Sequence, residues 1–100
     1  MIMKKIRQRA IMPNENVYNA VDQVVEFGFA AIEGTKSMAV PFCLRVKKVL
    51  EPYNGISATT SYLNVPNRGY LYLVVDLCRY SIAGSDLQHQ VIRLDQIDPG

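Results

Sequence analysis

The residues able to do chemistry gather in YLYLVVDLCRY, residues 70–80, and around His89 and Arg93. Read as a β-strand, 70–80 sends Leu71, Leu73, Val75 and Leu77 to one side and Tyr70, Tyr72, Val74, Asp76, Cys78 and Tyr80 to the other, because side chains alternate across a strand. The first set is core. The second could serve three chemistries. Asp76, Cys78 and His89 are acid, nucleophile and base types. Tyrosines beside Arg45 and Lys47 can stack planar or unpaired bases and meet anions. Aromatics and Arg are also what the centres of protein contacts favour.

The enzymatic reading has least behind it. The chain holds no GxSxG, HExxH or P-loop pattern, and its glycines stand singly in turns. A lone histidine near a tyrosine is far more often structural. No catalytic residue is therefore assigned. Cys43 and Cys78 have no CxxC spacing and no companion histidines, which argues against a metal site, and no cofactor motif is present. Both thiols read as small apolar fillers on nonadjacent strands, out of disulfide reach.

The net charge of +2 is too small to argue for nucleic acid by itself. The basic cluster KKIRQR, residues 4–9, reads as a solvated N-terminal strand in preference to a phosphate-binding arm. No apolar run approaches the ~20 residues of a membrane span, and the early lysines are not followed by the apolar stretch of an export signal. The expectation is a cytoplasmic protein with reduced thiols and no membrane partner.

At 100 residues, 49% of them hydrophobic, the chain fits one α+β domain spanning 1–100. Residues 2–11 form a loosely alternating strand or arm. One long helix is expected over about 15–33, with Asn14 as N-cap, Gly34 just past its end, and Val17, Ala20, Val21, Val24, Val25, Gly28, Ala31 and Ile32 at three- and four-residue steps. Val21 and Val24 should be buried, whereas Gln23 lies on a narrow polar strip. The rest reads as a four-stranded antiparallel β-meander, about 38–50, 56–65, 70–82 and 87–97, with the helix on its aliphatic face. Pro41 marks the first of these as an edge strand, and Asn54-Gly55 suits a two-residue hairpin turn.

The registers implied by these turns pair Leu63 with Leu73, Val65 with Leu71, Leu77 with Ile92 and Asp76 with Arg93. They also assemble Arg45, Lys47, Tyr62, Tyr72, Asp76, Tyr80, His89 and Arg93 on one face, which is the expected binding surface. Phe27 and Phe29, at the edges of the helical stripe, form an alternative interface. The function these features favour is a small, non-catalytic binding or regulatory module that self-associates as a homodimer. The second reading is a binder of a small ligand or single-stranded nucleic acid at the Tyr/Arg face, and the third is a small enzyme using Asp76, His89 or Cys78.

Overall fold

A computed structural model describes residues 6–81 and 85–97, with side chains to Leu94. The α+β class holds, but the architecture is not one long helix on a four-stranded meander. Among the described residues, three helices enclose a three-stranded antiparallel sheet.

The first helix, α1, is Val17–Phe27, shorter than the expected 15–33. Its N-cap is Asn16, whose side chain accepts from the Tyr18 N–H at 2.9 Å, and not Asn14. It ends at Gly28, well ahead of Gly34. Gly28 takes φ 89° and donates its N–H to the Val24 carbonyl at 2.8 Å. A left-handed residue closing a helix is the position glycine fills at least cost. A Cβ there would also come within 2.6 Å of the Tyr80 ring. The chain then enters β1, Phe29–Ile32, buried along its whole length. A strand covered on both faces is continuously apolar, so FAAI merges into the helical pattern before it.

The segment expected as a strand over 38–50 is a helix, α2, Lys36–Leu50. Its apolar residues satisfy alternation and the helical period together. Burial separates the two, because Ala39, Phe42, Cys43, Val46 and Leu50 are the buried set, at steps of three and four. Lys47 and Lys48 in the last turn suit the negative end of the helix dipole. Pro41 sits inside this helix, so it is not the mark of an edge strand. Lacking an N–H, it leaves the Ser37 carbonyl without a helical donor, and both residues are exposed, where water can substitute.

The central hairpin stands. β2, Ala58–Val65, and β3, Gly69–Asp76, are antiparallel neighbours. Their register is displaced from the expected one: Leu63 pairs with Leu71, Val65 with Gly69, and Tyr62 directly with Tyr72. The turn decides this. The Arg68 N–H donates to the Val65 carbonyl at 3.1 Å with Asn67 at φ 71°, as in a turn that takes Pro first and a left-handed residue second. Asn54-Gly55 closes no hairpin, since α2 precedes it.

The last expected strand, 87–97, is helix α3, Ser85–Ile97. Leu87, Val91 and Leu94, at steps of four and three, are its buried residues. The proposed ladder partners are therefore not opposed: Asp76 pairs with Ala58, whereas Arg93 and Ile92 belong to α3.

Strand order is β1-β3-β2. Ile11 adds a parallel bridge to Ile32 outside β1, donating to Ala31 O at 2.8 Å and accepting from Glu33 N at 2.9 Å. Among the described residues this bridge is what remains of the strand expected at 2–11; residues 2–5, with part of the basic cluster, lie outside them. The aliphatic face, Leu71, Leu73 and Val75, packs with Phe29 and Ala31 against α3. The opposite face, Val74 with Ala30 and Ile32, packs against α1 and α2. The first helix thus covers the face expected to be open, and Val21 and Val24 are buried there as expected.

Candidate functional site

Cover on the α1/α2 face stops short of the β2 edge. Tyr62 and Tyr72 are cross-strand partners on that face, and Tyr70 lies beside them. The Tyr62 and Tyr70 rings meet edge to face, 5.3 Å between centroids at 87°, and the Tyr62 and Tyr72 rings are 6.2 Å apart at 48°. Such edge-on and tilted contacts are the preferred aromatic geometry. Tyr72 is half-buried against the core, whereas Tyr62 is 60% and Tyr70 52% exposed.

Facing these rings, α2 presents Lys36, Val40 and Cys43, at helical steps of four and three. Together with Thr60 and Ser61 they enclose an open cleft of about 500 Å³, within the range of small-ligand sites. Lys36 is the charged residue of its lining among the described residues. Cys43 contributes no nucleophile: burial pushes its thiol up to about 12, and the thiolate is the reactive form. Leu44, 52% exposed and four residues after Val40, extends the apolar surface along the outer side of α2.

The cleft ends at an unpaired strand edge. β2 bonds only β3. Its eight residues, ATTSYLNV, contain no charge and no proline, and its register with β3 runs unbroken from Ala58 to Val65. Natural edge strands are normally blunted by one of those devices.

The remaining sequence-derived residues scatter. Arg45 lies on α2 with its guanidinium 5.7 Å from the Phe42 ring centroid, and Lys47 is two residues further along the same helix. Asp76 ends β3, 3% exposed, where its Oδ1 accepts from Ser57 N at 3.1 Å and Cys78 N at 3.0 Å. Those bonds tie the strand end to the turn that follows. Tyr80 packs edge to face on Phe29, 6.0 Å away, and its hydroxyl accepts from Gln90 Nε2 at 2.8 Å. His89 and Arg93 are exposed on α3, in the opposite layer. Phe27 is half-buried at the end of α1, and Phe29 is buried in β1.

The structure thus brings Tyr62 and Tyr72 together and separates them from Asp76, Tyr80, His89 and Arg93. Sequence reasoning missed Tyr70, Lys36 and Val40 as site residues. Tyr70 was legible from alternation with Tyr72; the other two required α2 to be read as a helix.

Among the described residues no three His, Cys, Asp or Glu side chains gather as a metal site, and no helix is long and apolar enough to cross a membrane. Searches of protein-family models, curated proteins and solved structures return no match for this chain.

Proposed function

We propose that this chain is a small, non-catalytic binding module that self-associates as a homodimer, with the β2 edge and the tyrosines beside it as the contact surface. One observation carries the reading: an eight-residue edge strand without charge, proline or bulge has a half-exposed tyrosine at its middle. Such an edge presents unpaired N–H and C=O groups to any extended strand. A second copy is the partner whose edge has the same length and polarity. Antiparallel pairing of β2 with its counterpart across a two-fold axis normal to the sheet joins two sheets into one. Because the axis is normal to the sheet, both tyrosine clefts come onto the same side, and the same patch is used on both copies, as in any isologous interface. Leu44 supplies flanking apolar area. A cytoplasmic setting accords with the unpaired thiols.

The cleft volume favours one alternative, a small ligand held between the tyrosine rings and α2. Sedimentation velocity over a range of concentrations separates the two. The wild-type chain should sediment as a dimer that dissociates on dilution. Tyr62→Ala with Tyr70→Ala should weaken it by about 2 kcal/mol or more, roughly thirtyfold in Kd. A wild-type chain that stays monomeric at every concentration contradicts the dimer and leaves the ligand reading.

A further inference from the structure

A second cavity, of about 440 Å³, lies between the N-terminal segment and α3, on the far side of the molecule's layers from α2. Arg7, Gln8, Gln90, Arg93 and Leu94 line it. This composition differs in kind from the tyrosine cleft: two guanidinium groups, two carboxamides and one aliphatic wall, with no acidic side chain in the lining among the described residues.

The backbone that carries these donors is held by the fold, with the Arg7 and Arg93 side chains exposed. On α3, Gln90, Arg93 and Leu94 fall at three- and four-residue steps and so share one face. Gln90 is oriented by its bond to the Tyr80 hydroxyl. The opposite wall is fixed from α1, where Gln23 is buried at 4% exposure. Its Nε2 donates to the Arg7 carbonyl, and its Oε1 accepts from the Arg9 N–H at 3.4 Å. That clamp grips the chain on both sides of Gln8. Two features are left unmatched. Neither Arg7 nor Arg93 takes part in an ion pair among the described residues. Gln8 Nε2 is buried with no hydrogen-bond partner there, a donor left unsatisfied.

We infer that this cavity is an oxyanion site that takes the phosphate group of a small phosphorylated molecule. Guanidinium forks match phosphate oxygens in pairs. Carboxamide N–H groups complete the donor set without adding charge, and the volume leaves room beside Leu94 for a short carbon skeleton. The site is independent of the β2 edge and stands or falls apart from the dimer.

The test is an NMR titration of the full chain with inorganic phosphate and with glycerol 3-phosphate at constant ionic strength, read at the side-chain amides of Gln8 and Gln90. Both probes should shift these resonances saturably, and glycerol 3-phosphate should bind more tightly. Arg93→Gln and Arg7→Gln should each weaken binding at least tenfold while the thermal midpoint stays unchanged. Shifts that never saturate, or that persist at full strength in both variants, overturn the proposal. A response to a single-stranded oligonucleotide but to neither small anion overturns it too, assigning the arginines to a polymer backbone instead.

Discussion

The two faces of the sheet are closed to different extents. Under α3 the face is aliphatic and sealed, with Phe29, Leu71, Leu73 and Val75 meeting Leu87, Val91 and Leu94. Under α1 and α2 the face is sealed only in part. At the β1 side it is shut by the N-terminal segment, which bridges Ile11 to Ile32 and is held by Gln23 and by an Arg9–Glu15 ion pair at 2.6 Å. At the β2 side it opens onto Tyr62 and Tyr70. One sheet therefore has a face that only stabilises and a face whose free end has surface left for recognition.

The contrast predicts where substitutions cost stability. Leu87→Ala, on the sealed face, should lose about 2–5 kcal/mol through lost burial and a cavity. Tyr70→Ala, at the open end, should change monomer stability by less than about 1 kcal/mol. Urea unfolding midpoints check both, and equal costs would break the distinction between the faces.

The closed β1 side should give intermediate values. Gln23→Ala strips hydrogen bonds from the Arg7 carbonyl and the Arg9 amide, so a loss of about 1–3 kcal/mol is expected. This reverses what the polar strip on α1 suggested. A Gln23→Ala midpoint within error of wild type would show that the clamp contributes nothing.

The smallest effect is electrostatic. The Arg9 guanidinium hydrogen-bonded to Glu15 lowers its carboxyl from 4.5 to about 2, with the Met12 N–H and Asn19 assisting against burial. A depressed folded-state value means that the stabilisation is fully present above about 4.5. It is lost as pH falls towards 2. The pair is partly exposed, so solvent screening limits it to about 1 kcal/mol or less. Arg9→Gln should remove that part of the acid dependence measured between pH 5 and pH 2, and an unchanged profile would rule the pair out as its cause.

What could be read in the sequence follows how many constraints bear on each segment. The β2–β3 hairpin was legible because alternation runs through 70–76 and turn residues bound it. Burial of Val21 and Val24 followed from the α1 period. β1 was not legible, since four apolar residues directly after an apolar helix carry no mark of a changed period, and Gly28 served equally as a residue on the helical stripe. In α2, MAVPFCLRV fits both periods, and Pro41 argued for a strand edge only under the assumption that the segment was a strand. In α3, Leu87, Val91 and Leu94 carried the helical spacing, but the apolar-polar alternation through Ile92, Arg93, Leu94 and Asp95 obscured it. For the site, the nearness of Tyr62 and Tyr72 on adjacent strands survived because the hairpin did, although the displaced register sets them directly opposite each other. The residues assigned through α2 and α3 as strands, from Arg45 to Arg93, were dispersed when those segments proved helical.

Dimerisation through the β2 edge is tested most directly by amide hydrogen exchange along β2 in concentrated and in dilute solution. Alternate N–H groups of β2 do not bond β3 and face outward. They should exchange slowly at high concentration and fast on dilution, while the amides paired to β3 stay protected throughout. Outward amides that exchange equally fast at both concentrations, in a sample that sedimentation shows to be dimeric, would contradict the account and move the interface away from this edge.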